Sequence, residues 1–243
     1  MFALYKKEVQ SYFYSPLAYV ISALFMLIFS LSFISGISDL SSNTFKFSFP
    51  NIFYNNFFFF ILLIPFLTMR SFAEERKGGT EVLLMSAPIS IIKIVMAKFF
   101  AITTVFLLMM LLTLFFPLVT MMTGEVIWSS LFSAYVGFFL WGLACIALGM
   151  LISAFTENPI IAAIVGAGAM IVLIFVDNLA TTALFSSLPI ISDVLLWLST
   201  EKRFLGFSQG LFRFGDLVFY LTLVFLFLSW TVITIQKRRW SRG

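Results

Sequence analysis

The sequence predicts an all-α integral membrane protein with six transmembrane helices and no sizeable soluble domain. Three observations predict it. First, the 243 residues are 61% hydrophobic and only 11% charged, with a mean hydropathy of +1.08; a soluble domain is nearer 45–50% apolar and about 25% charged. Second, the apolar residues fall into six long runs, and a helix needs roughly 20 predominantly apolar residues to cross the hydrocarbon core. Third, Lys and Arg are shared unequally between the two sets of connections, as expected for a chain oriented by the positive-inside rule. The runs fill nearly the whole chain, so a single membrane domain over residues 1–243 is expected.

The first run covers about residues 17–37. It is long enough to span and no small-x-small cleavage site ends it, so it is expected to be a retained helix and not a signal peptide. The second covers about 52–69 and contains Pro65. The third runs from about 94 to 122, with Pro117 as the expected kink. The fourth covers about 130–155, the fifth about 160–176, closed by Asp177, and the sixth about 217–235. Two connections are very short, one at Gly124-Glu125 and one at Thr156-Glu157-Asn158-Pro159. Short connections make successive helices antiparallel neighbours, and Asn158-Pro159 suits a helix restart. Between the fifth and sixth runs, residues 188–198 form an apolar stretch too short to span. Beyond it Phe204, Phe207 and Leu211 recur at i, i+3 and i+7, which predicts an amphipathic interfacial helix or a re-entrant segment.

Six spans place both termini on one side. That side then holds Lys6, Lys7, Arg70, Arg76, Lys77, Lys93, Lys98, Lys237, Arg238, Arg239 and Arg242, and the other holds Lys46, Lys202, Arg203 and Arg213. Eleven bases against four assign both termini to the cytoplasm. The net charge of +4 is explained by topology and anionic headgroups without invoking nucleic acid. Tyr12, Tyr14, Tyr19, Trp128, Trp197 and Trp240 fall near run ends, where an aromatic belt is expected.

There is no histidine, and the one cysteine, Cys145, lies inside an apolar run. The commonest general base and metal ligand is therefore missing, and an intrachain disulfide is impossible. No G-x-x-x-x-G-K-[ST] string occurs, so the chain has no P-loop to cradle ATP phosphates. Asp177, Asp216 and Glu157 stand at run ends and read as boundary markers, since a charge at the helix centre costs about 2.5–3.5 kcal/mol. Asn55, Asn56, Thr103, Thr104 and Thr113 are expected to bond neighbouring helices or their own backbone. Gly149 and Ser153, and Ala162 and Gly166, are spaced four apart and are expected to let helices approach closely within the subunit.

The most informative stretch is the connection RSFAEERKGGTEVLLMSAPISIIKIVMAK, residues 70–98. Its charged first part continues the second span, and Gly78-Gly79 ends that helix. Thr80 is placed to cap a short helix carrying Leu83 and Leu84, which stops before Pro88. Ser90 is placed to cap the third span. A short apolar-faced helix beside the membrane has the shape to dock in a groove of a soluble partner. The bland reading is a positively charged topogenic loop with a Gly-Gly turn, which leaves the apolar Leu83-Leu84 pair unexplained.

The pattern formed by Arg70, Ala73, Glu74, Glu75, Arg76, Gly79, Thr80, Leu83, Leu84, Pro88 and Ser90, followed by Lys93 and Lys98, resembles the signature of ABC-2 type transporter permeases, and most closely their gliding-motility and copper-enzyme-maturation branch. The start, Tyr5-Lys-Lys-Glu8 with Tyr12-Phe-Tyr-Ser-Pro16, is similar to that branch's N-terminal interfacial helix. The end, from Glu201-Lys-Arg-Phe204 to Arg238-Arg239-Trp240, resembles its last outer loop and span. The resemblance implies the membrane subunit of a bacterial cytoplasmic-membrane transporter. Such a subunit pairs with a second permease subunit, identical or related, and is driven by a separate cytoplasmic ABC ATPase that carries the ATP and Mg. An extracytoplasmic auxiliary protein is a further implied partner. The loop between spans two and three would be the coupling helix, with Glu74, Glu75 and Arg76 as polar contacts to the ATPase and Leu83 and Leu84 as the apolar anchor. No cofactor, metal or catalytic residue is expected on this chain. The resemblance is compatible with transport and with transmission of force or signal by the same architecture. An ATP-independent secondary transporter would instead call for buried ion-coupling charges or broken helices at the midplane.

Overall fold

A computed structural model describes residues 1–42, 49–82, 89–122, 127–181 and 189–241. Every regular element among them is helical. α1 (Phe2–Tyr14) ends at Ser15, whose extended backbone precedes Pro16, as the residue before proline requires. Pro16 then opens α2 (Pro16–Ser42) at a position where its missing N–H costs nothing. The second run is broken into α3 (Phe49–Asn55), a 3₁₀ turn at Phe57–Phe59 and α4 (Phe60–Thr68), which contains Pro65. It leaves the bundle through a short charged helix, α5 (Ala73–Lys77).

α6 (Ile91–Thr113) is followed after Leu114 by α7 (Phe115–Met121). The break expected at Pro117 thus falls just upstream of it, because the proline ring excludes the carbonyl four residues back and supplies no N–H to it. α8 (Trp128–Phe155) and α9 (Pro159–Ile174) are joined by the short connection anticipated from the sequence. Asn158 caps α9, its side-chain oxygen accepting from the Ile160 N–H at 3.0 Å. α10 (Val176–Thr181), α11 (Pro189–Trp197) and α12 (Thr200–Ser208) precede the last long helix, α13 (Phe214–Ser241).

Five helical segments among the described residues are long and apolar enough to cross a membrane: Pro16–Ile37, Ile52–Lys77, Ile91–Met121, Trp128–Phe155 and Phe214–Arg239. The fifth expected span is shorter. α9 has 16 residues, about 24 Å at 1.5 Å per residue, against a hydrocarbon core of about 30 Å. The connection at Gly124-Glu125 lies outside the described residues.

The bundle is built around α8, which packs against α3, α4, α5, α6, α9, α12 and α13. Between helices in lipid the packing, not the hydrophobic effect, supplies the attraction, and small residues let backbones close in. α8 carries them at the contacts. A Cβ on Gly137 would stand 2.4 Å from Phe207, one on Gly142 2.3 Å from the Phe106 ring, and one on Gly149 2.2 Å from the Thr68 hydroxyl. Gly166 of α9 faces Pro65. The small-residue spacings seen in the sequence therefore serve contacts inside the subunit. Around α8 the phenylalanines form a continuous aromatic core: Phe138 meets Phe29, Phe53 and Phe60, and Phe57 stacks between Trp141 and Phe204.

The amphipathic segment differs from its prediction in one respect. Phe204 and Phe207 are fully buried against the bundle, but Leu211 lies past the end of α12, beyond Gly210, whose φ of +80° turns the chain. Tyr12, expected in the interfacial belt, is buried and donates to the Leu67 carbonyl at 3.0 Å; burial pushes its phenol pKa up, so it serves as a neutral donor. Tyr14, Tyr19, Trp128 and Trp197 are exposed as a belt requires. Thr104 and Thr113 donate to the Phe100 and Met110 carbonyls of their own helix and Asn56 accepts from Ser32 of α2, as expected, whereas the Thr103 hydroxyl and the Asn56 amide nitrogen are buried with no hydrogen-bond partner among the described residues.

Candidate functional site

The polar contacts gather at the two ends of the bundle. At one end meet α1, α5, the start of α6, the α8–α9 connection and the end of α13. The region of residues 70–82 lies at their centre. Arg70 pairs with Glu74 one turn on, its Nη2 donating at 2.6 Å, and also donates to the Ser15 hydroxyl at the α1–α2 joint. The N-terminus of α5 is tied to α8: the N–H groups of Phe72 and Ala73 donate to the Ser153 Oγ at 3.2 and 3.1 Å, and that hydroxyl donates to the Met69 carbonyl at 3.0 Å. Ala73 is fully buried, so a larger residue there would separate α5 from α8.

Glu75 and Arg76 are turned inward. Lys98 of α6, a buried cation, donates to Glu75 at 2.7 Å and pairs with Glu8 of α1 at 3.2 Å. Its ammonium also lies 5.5 Å from the centre of the Phe72 ring. A charge in this position needs such partners, since an unpaired buried ion costs several kcal/mol. Arg76 donates to the carbonyls of Ala154 at 2.9 Å and Thr156 at 2.8 Å, and pairs with Glu81 at 3.3 Å. Its guanidinium thereby caps the C-terminus of α8, where carbonyls are left unpaired and the helix dipole favours a cation. Arg238 of α13 donates to the neighbouring Phe155 carbonyl at 3.3 Å.

The outward face of this region is formed by Glu74, Lys77, Gly78, Gly79, Thr80 and Val82, all exposed. Gly79 has φ +70°, the left-handed conformation that ends helices and suits glycine. Thr80 donates its hydroxyl back to the Glu75 carbonyl at 3.2 Å, closing α5. Leu83, Leu84 and Pro88, the remainder of the expected docking helix, lie outside the described residues. Ser90 holds the N-cap position of α6, but its side chain makes no cap bond; its carbonyl accepts from the N–H groups of Lys93 and Ile94.

The structure thus brings Arg70, Ala73, Glu74, Glu75, Arg76, Gly79 and Thr80 together and adds residues that the motif did not contain: Glu8, Ser15, Glu81, Ser153 and Thr156. Of these, Ser153 was marked in the sequence by its spacing of four from Gly149, Thr156 by the short connection, and Glu8 and Ser15 by the N-terminal likeness, but nothing local joined any of them to residues 70–80.

Residues 38–200, more than half of the chain, match the model of the ABC-2 family transporter protein. The chain belongs to the ABC-2 transporter family. The match contains the whole of the 70–90 region as well as the α8–α9 connection that holds Arg76. This ABC-2 protein is accordingly a multi-pass membrane component of a transport system. No curated protein matches the chain.

Proposed function

We propose that this ABC-2 protein is the membrane-spanning permease subunit of an ATP-driven exporter or flippase, moved by a separate cytoplasmic ATPase that docks on residues 70–90. The observation that carries the proposal is the mechanical connection of that region. α5 is tied to α1 and α6 through Lys98, to α8 through Ser153 and Arg76, and to the α1–α2 joint through Arg70. A push on its exposed face reaches four other helices through short polar contacts. In this scheme Glu75 and Arg76 transmit displacement inward, while Glu74, Thr80 and the Leu83-Leu84 pair meet the ATPase. A second permease subunit, identical or related, completes the machine.

The reading includes six spans with both termini in the cytoplasm. α9 starts beside Arg76 and finishes at the opposite end of the bundle, where the Leu173 carbonyl accepts from Thr200 at 3.1 Å and Phe175 meets Phe58. Its length is short, yet it runs between the same two polar ends as the longer helices. Local thinning of the bilayer and the following α10 accommodate that mismatch. The end holding Lys98, Arg76 and Arg238 is the cytoplasmic one by the excess of bases, and α1 lies along it as an interfacial helix.

The test is copurification from mild detergent combined with cross-linking. Thr80→Cys is expected to cross-link to the ATPase subunit with a short bifunctional reagent, and the buried Cys145 to give none. An intact complex in which Thr80→Cys never cross-links would place the docking site elsewhere. Transport that persists after removal of the ATPase would overturn the functional reading itself.

A further inference from the structure

The end of the bundle opposite Arg76 holds an unexpected concentration of positive charge. Four bases fall outside the Lys/Arg-rich set of connections, and three of them, Lys202, Arg203 and Arg213, line one open cleft of about 320 Å³. The positive-inside rule explains why bases are scarce at this end. It does not explain why those present converge.

The three bases differ in what they do. Arg203 is committed to the fold: it donates to Asp216 at 2.8 Å and to the Trp197 carbonyl at 3.1 Å, and its guanidinium lies 4.1 Å from the centre of the Phe219 ring. Asp216, the only acid among the described residues of the cleft wall, is taken up by that pair. Lys202 and Arg213 are exposed and make no ion pair among the described residues. The cleft therefore carries two uncompensated positive charges on a wall whose remainder includes Leu196, Leu205 and Leu211. Trp197, Phe212 and Phe214 project from the same region, as aromatic side chains do at the headgroup level of a bilayer.

We propose that this cleft binds a phosphate-bearing anion, with Lys202 and Arg213 as the binding residues and the leucine wall accommodating the apolar stem of a lipid. Arg213 presents a planar fork that pairs with two phosphate oxygens, and Lys202 acts as a point charge. Arg203 is a positioning residue that holds α12 against the start of α13 and keeps Asp216 from neutralising the site. The ligand chemistry is that of a phosphomonoester or phosphodiester, whose source is either the headgroup of an anionic phospholipid or a soluble phosphate. The inference depends on the membrane setting and not on the ATPase.

The test uses the full chain in detergent with Lys202→Gln/Arg213→Gln, and Arg239→Gln at the other end as control. Native mass spectrometry with equimolar phosphatidylglycerol and phosphatidylcholine reads lipid retention, and calorimetric titration with inorganic phosphate reads the soluble arm. Selective retention of phosphatidylglycerol, lowered about tenfold in the double variant and unchanged in Arg239→Gln, supports a lipid headgroup. Tenfold is the loss expected from one charge-assisted contact alone and is therefore the least that removing both should give. Phosphate binding lost in the double variant without lipid selectivity supports a soluble phosphate. Equal behaviour of wild type and double variant in both arms overturns the proposal, provided circular dichroism shows the double variant folded.

Discussion

Arg76 shows how one residue's geometry fixes its role. Its guanidinium reaches two backbone carbonyls of the α8 terminus and the Glu81 carboxylate at once. A lysine has a single nitrogen and no fork, so Arg76→Lys is expected to lower stability by about 1–3 kcal/mol, read as a drop in the thermal midpoint in detergent. An unchanged midpoint would show that the carbonyl contacts are dispensable. Gly149 makes the complementary point about space. A Cβ there meets Thr68 at 2.2 Å, whereas at Gly168 it meets nothing. Gly149→Val is expected to destabilise by about 1–3 kcal/mol through overpacking, and Gly168→Ala to leave the midpoint unchanged or raise it, since alanine is the better helix former. Equal effects at the two sites would mean that α8 and α4 do not pack as described.

At the scale of elements the decisive unit is α5 with its four anchors, Arg70, Arg76, Lys98 and Ser153. Lys98 holds two carboxylates from different helices, Glu8 and Glu75. Lys98→Met leaves those half-buried acids unpaired beside each other, and the loss is expected to cost up to about 3 kcal/mol, the low end for a fully buried pair. Adding Glu8→Gln and Glu75→Gln removes the unpaired charges, so the triple variant is expected to regain at least half of the lost stability in the same thermal assay. No recovery would mean that Lys98 acts through packing and not through charge. The boundaries of most elements were legible locally. Ser15-Pro16 separates α1 from α2, Asn158-Pro159 starts α9, and Gly78-Gly79 closes α5, because capping and backbone stereochemistry are short-range. The anchors of α5 were not legible. Lys98 stands 23 residues from Glu75, and Arg76 80 residues from Thr156. No local periodicity marks such a pairing, and even the recognised motif presented Glu75 and Arg76 as outward contacts.

Over the whole molecule, the two polar ends define a topology that can be measured. In a Cys145→Ala background, Thr80→Cys and Arg238→Cys are expected to react with a membrane-impermeant maleimide only after permeabilisation, and Lys202→Cys in intact cells. Labelling of Thr80→Cys and Lys202→Cys from the same side would mean that α9 does not cross. The all-helical membrane character and the positions of the long helices were determined by the sequence alone. Both follow from sums taken along the chain: transfer free energy accumulates residue by residue over a span, and backbone groups in lipid must be satisfied within the helix. Which polar groups meet was decided only by the tertiary structure. Glu8 with Lys98, Arg76 with the end of α8, and Lys202 with Arg213 on one cleft wall depend on how helices rotate and approach one another. That approach is set by the small residues of α8 and the aromatic core around it, where the packing of many side chains acts together.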